Sequence, residues 1–98
     1  MKYVKEIKST ITGAYEIKDN GGIYKIKILG RGEELFFQKG DDALICDISA
    51  RFAMIDPLSI KRWDNGSKIS DEERTLILAK IIDLYKEAYQ DELAVLKK

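Results

Sequence analysis

Ninety-eight residues, 45% apolar and 35% charged, suffice for one globular domain with a single modest core. Seventeen basic and seventeen acidic residues cancel, which argues against a dedicated nucleic-acid binder that relies on phosphate neutralisation. With no histidine and one cysteine, Cys46, the sequence lacks the commonest general base, the Ser/His and Cys/His pairs, an internal disulfide and a cysteine-based metal site.

In chain order, Lys2 to Ile7 alternates, with Tyr3, Lys5 and Ile7 opposed to Lys2, Val4 and Glu6, and reads as a strand. Ala14 to Lys18 reads as a second, and Asp19-Asn20-Gly21-Gly22 is a turn because Asn and Gly tolerate the positive φ of tight hairpins. Ile23 to Leu29 then places Tyr24, Ile26 and Ile28 on one face and Lys25 and Lys27 on a solvated face. Gly30-Arg31-Gly32-Glu33 turns into a strand over Glu34 to Gln38, and Lys39-Gly40-Asp41-Asp42 turns again. Antiparallel strands in a meander are the economical reading. Ala43 to Ile48 suits either a strand or a buried helix, and Arg51 to Ile55 adds a further short strand before Pro57 breaks regular structure. Ile60 to Trp63 reads as a last short strand, closed by Asp64-Asn65-Gly66-Ser67. Trp63 is expected to cover the joint between sheet and helix, its indole N–H bonded to a backbone carbonyl.

Ser70 followed by Glu73 forms a capping box, in which the Ser70 hydroxyl accepts from the Glu73 N–H and the carboxylate reaches back to the Ser70 N–H. The long helix it opens carries Ile77, Ile81, Leu84 and Ala88 as a stripe, broadened by Leu78, Ile82 and Tyr85. Leu93 to Leu96 either prolongs this helix or packs back separately. The expected fold is α+β: an antiparallel β-meander over residues 1–64, packed against one long C-terminal helix within a mainly helical 70–96, all in a single domain.

The adjacent acids Glu33-Glu34 and Asp41-Asp42 fall in or beside turns and read as solvated; no spaced set completes a metal shell, and no cofactor is expected. Gly30-Arg31-Gly32 leads into a strand, so the helix N-terminus that cradles phosphate is missing. Cys46 lies in the apolar run Ala-Leu-Ile-Cys and reads as a buried, inert thiol. The aromatics Tyr3, Tyr15, Tyr24, Phe36 and Phe37 interleave with lysines as in base-stacking sheets, but alternation sends most of them to the opposite face. Charge is uneven: residues 1–40 carry eight Lys/Arg against five Asp/Glu, and residues 41–98 nine against twelve. No apolar run approaches the ~20 residues of a bilayer span, and Met1 to Glu6 has no secretory h-region, so a cytosolic protein is expected.

The run Ser59-Ile60-Lys61-Arg62-Trp63-Asp64, a polar turn, Ile69-Ser70-Asp71-Glu72-Glu73-Arg74 and Ile77-Leu78 through Ile81-Ile82 resembles small immunity proteins of bacterial polymorphic-toxin and contact-dependent growth-inhibition systems. The resemblance covers about a third of the chain, with Trp63 and Ile69 to Arg74 its strongest elements. It implies a cytosolic antitoxin without a reaction of its own, which binds the C-terminal toxin domain of a cognate or neighbouring effector and blocks its active site; the acidic second half of the chain suits a basic nuclease as that toxin. The matching residues Trp63, Ser70 and Glu73 are structural in this reading. For the contact surface, charge segregation points to Asp83, Glu87 and Asp91, spaced by four on one helical face, joined by Asp41 and Asp42. A single-stranded nucleic-acid-binding or regulatory adaptor domain ranks second and an enzyme third.

Overall fold

The computed structural model of the protein describes residues 2–19 and 21–96, apart from the side chains of Lys2, Tyr3 and Lys5; Asn20 of the first turn lies outside the described residues. A short helix α1 (Lys2–Thr10) precedes strands β1 (Tyr15–Asp19), β2 (Gly22–Leu29), β3 (Glu34–Lys39), β4 (Asp42–Ser49) and β5 (Met54–Ile55). After one 3-10 turn (Pro57–Ser59) come the long helix α2 (Asp71–Tyr89) and a last strand β6 (Ala94–Val95). The strands form one sheet in sequence order, antiparallel from β1 to β5, with β6 parallel to β5. The α+β architecture with a meander under one long C-terminal helix is thus observed.

The first segment departs from expectation: Lys2 to Ile7 belongs to a helix, not a strand. Over so short a stretch, alternation and helical spacing fit the same letters. The longer set Val4, Ile7 and Ile11 recurs at three and four, which puts all of them on one helical face. That face packs on Phe36, Ala43, Leu29 and Ile45. Consequently the lysine-bearing face of the sheet is not simply solvated. Lys27 donates to the Thr12 carbonyl at 2.5 Å, and Lys25 lies 3.4 Å from Glu16.

Ile26, Leu35, Phe37, Leu44, Cys46 and Ile48 form the opposite face of the sheet, which α2 covers with Ile77, Ile81, Leu84 and Tyr85. Burying each large side chain is worth ~1.5–3 kcal/mol before chain entropy is subtracted, and this face holds most of the core. Ala43 to Ile48 is a strand because its residues alternate between the two covered faces, Ala43 and Ile45 toward α1 and Leu44, Cys46 and Ile48 toward α2. Such a doubly covered strand loses the polar alternation that would identify it.

Ile60 to Trp63 does not form a strand; the segment makes a single bridge, Arg62 to Lys68. The residue that follows it, Asp64, meets the free edge of β4: its N–H donates to the Ala43 carbonyl at 2.8 Å and its carboxylate accepts from the Ala43 N–H at 3.1 Å. A side chain here takes the place of the next ladder bond. At the other end, Gln90 adopts a left-handed conformation (φ 55°) and its N–H closes on the Lys86 carbonyl at 2.9 Å. Asp91 and Glu92 would meet the negative end of the helix dipole if the helix continued. The tail packs back separately instead, with Leu93 buried and Ala94 and Leu96 donating to the Ala53 and Ile55 carbonyls.

Candidate functional site

Helix α2 begins where the Ser70 hydroxyl accepts from the Glu73 N–H at 3.1 Å, as the capping box requires. The Glu73 carboxylate is engaged differently from expectation, because it accepts from the Trp63 indole N–H at 3.3 Å. Trp63 therefore finds a carboxylate rather than a backbone carbonyl. Its ring stacks on Phe37 at 6.3 Å, and Phe37 meets Tyr24 at the same separation. Trp63 does cover the joint between sheet and helix, and the cap, the indole and the aromatic row lock the start of α2 onto β2 and β3.

Beside this joint is an open cleft of about 670 Å³ between α2 and the sheet, floored by Tyr24, Phe37 and Ile77. Lys39, at the end of β3, lines it from the sheet, and Glu72, Leu76 and Lys80 line it from α2. Lys80 is held, its ammonium 2.5 Å from the Asp19 carboxylate and 4.4 Å from the Tyr24 ring centre. The hydrogen bond to Asp19 pushes the Lys80 ammonium above its ordinary value against the opposing effect of burial, so it stays charged and paired.

At 3.6 residues per turn, positions 72, 76, 83 and 87 fall within ~60° of one another on α2. Glu72, Leu76, Asp83 and Glu87 are all exposed there, on the face turned away from the core stripe. The strip runs ~22 Å at 1.5 Å per residue. Glu87 is anchored at its far end by the Tyr15 hydroxyl, which donates at 3.0 Å and is itself pushed above the ordinary phenol value by that bond.

Among the acids singled out from sequence, Asp83 and Glu87 lie together on this strip. Asp91 does not join them, because the helix ends at Tyr89; the Asp91 carboxylate instead accepts from the Glu92 N–H at 2.9 Å. Asp41 and Asp42 sit on the β3–β4 hairpin, which lies by the first turn of α2, about a helix length from Glu87. Asp42 faces Asn65 at 3.4 Å, and the Asp41 carbonyl accepts from Lys8 at 2.7 Å. The five acids therefore do not make one patch. Glu72 and Leu76 were not singled out, although Leu76 is an apolar residue off the helix's core stripe, which is a signal readable from spacing alone.

Among the described residues no group of three or more His, Cys, Asp or Glu is placed to hold a metal ion, and no helix is long and apolar enough to cross a membrane. The chain matches no protein-family model, and neither a curated protein nor a solved structure proves similar to it.

Proposed function

We propose that the protein is an immunity protein, a cytoplasmic antitoxin that binds the C-terminal toxin domain of a cognate effector and blocks its active site without a reaction of its own. The observation that carries the reading is the outer face of α2, where Glu72, Asp83 and Glu87 present negative charge along one side of a helix fixed to the sheet at both ends. A nuclease binds phosphate and so has a basic cleft; a row of carboxylates offers it a charge pattern like that of its substrate. Because the helix that carries the row is already ordered by the fold, no backbone ordering has to accompany docking. Obstruction then follows from occupancy alone.

The nucleic-acid reading gains less from the geometry. Phe36 and Phe37, which would have to stack on bases, are 0% and 1% exposed beneath α1 and α2. The test is co-expression with the product of the adjacent upstream open reading frame, followed by purification. The expected result is a 1:1 complex and loss of that product's toxicity; a toxic neighbour that neither binds nor is neutralised would refute the proposal.

A further inference from the structure

We infer that Leu76 is the apolar anchor of this face, and that the partner it fits is a basic protein surface whose apolar socket is ringed by lysine or arginine. The inference rests on the immunity reading and names the centre of its contact. Leu76 is 72% exposed, whereas its neighbour Ile77 is 4% exposed in the core. The fold gains little from an apolar side chain left in water, since burial energy scales with area removed from solvent. Lys, Gln or Glu would serve the helix about as well at this position. The other exposed large apolar residue of α2, Tyr89, is tied to the fold because its hydroxyl accepts from the Ile28 N–H at 3.0 Å.

Three features indicate what covers Leu76. Glu72 precedes it by one turn and Asp83 follows by two, so the apolar tip stands between carboxylates. It also rims the cleft floored by Tyr24, Phe37 and Ile77, so apolar surface continues from the ridge into a recess that a partner's side chain can enter. Finally, the Lys80 ammonium beside it is hydrogen-bonded to Asp19 and feels Asp83 only as the weakest of the charges around it, so Glu72 and Asp83 keep negative charge to offer a basic partner. An apolar centre with a charged rim is the anatomy of a protein interface. The carboxylates would repel a phosphate backbone and attract a basic protein.

The experiment measures association and dissociation rates of the full chain with the isolated C-terminal toxin domain across a salt series, for wild type, Leu76→Ala and the double variant Glu72→Lys/Asp83→Lys. Leu76→Ala should weaken binding by about 30-fold, as an anchor truncation does, and act mainly on dissociation with the salt dependence unchanged. The charge variant should slow association and flatten the salt dependence. Thermal unfolding of Leu76→Ala alone should match wild type, because the side chain is exposed. Affinity of Leu76→Ala within about twofold of wild type would overturn the inference while leaving the immunity reading standing. A concentration-dependent dimer of the chain alone, abolished by Leu76→Ala, would overturn it in favour of a second copy. Failure of wild type to bind at all would overturn the immunity reading and this inference with it.

Discussion

Lys8 and Asp64, far apart in sequence, form an ion pair of 2.5 Å in which the carboxylate side chain is 3% exposed and the lysine side chain 30%. The pair fastens α1 to the segment leading into α2, and Asp64 in turn closes the edge of β4 through Ala43. Burial by itself would raise the Asp64 carboxyl, but the Lys8 ammonium and the Ala43 N–H outweigh it and hold the group below its ordinary value of 3.8. A carboxylate with a depressed folded value binds protons more weakly in the folded chain than in the unfolded one. Its contribution is therefore complete above the unfolded value and is lost as the pH falls through the folded one. Urea unfolding between pH 6 and pH 2 should show stability declining below ~pH 4.

Removing Lys8 reverses that sign. Lys8→Met leaves a buried carboxylate without its counter-charge, so it should cost ~3–5 kcal/mol at neutral pH. Burial then raises the Asp64 value, and part of the loss should be recovered on acidification. Asp64→Asn should cost less, because the partly exposed Lys8 ammonium can turn to water. Urea titrations of both variants at pH 7 and pH 4 check the order and the recovery of Lys8→Met on acidification, which Asp64→Asn, with no carboxyl to titrate at this position, should not show.

Ser70→Ala removes the oxygen that accepts from the Glu73 N–H, and should cost ~1 kcal/mol. Trp63→Phe keeps the contact with Phe37 but deletes the indole donor to Glu73, with an expected loss of ~0.5–1.5 kcal/mol, more if the carboxylate stays dry. Denaturant unfolding monitored by far-ultraviolet dichroism measures both.

Gly32 and Gly66 have nearly the same φ, 91° and 89°, but different surroundings. A Cβ on Gly32 would stand 2.8 Å from the Ala50 Cβ, whereas one on Gly66 meets nothing within 4 Å. Both alanine variants carry the left-handed penalty of ~1–2 kcal/mol, and Gly32→Ala should lose ~1–3 kcal/mol more from overpacking. Adding Ala50→Gly should narrow the gap between them; equal unfolding free energies for the two single variants would contradict this account.

Much of the fold is legible in the chain because local signals agree with tertiary ones. Asp19 to Gly22 and Lys39 to Asp42 mark hairpins, and the Ser70 cap and the Ile77, Ile81, Leu84 stripe mark α2. Cys46 is buried, as its apolar run implies, and burial pushes its thiol up to about 12. Where the reading fails, two structures fit the same letters or a distant partner decides. Val4 and Ile7 suit a strand until Phe36 and Ala43 are known to wait beneath a helix. Trp63 and Asp64 look like strand and turn, and only the free edge of β4 makes Asp64 a structural carboxylate. In the candidate site, spacing by four correctly joins Asp83 to Glu87, but it extends to Asp91 only if the helix persists. Gln90 ends it.

The most direct test of the acidic face compares Asp83→Lys/Glu87→Lys with Asp41→Lys/Asp42→Lys in binding isotherms against the isolated toxin domain, with unfolding curves recorded for each. The helix variant should remain folded and lose one to two orders of magnitude in affinity, of the size expected for close interfacial charge pairs, while the hairpin variant should bind nearly as wild type. Unchanged affinity of the helix variant, or loss confined to the hairpin variant, would contradict the acidic face as the contact surface.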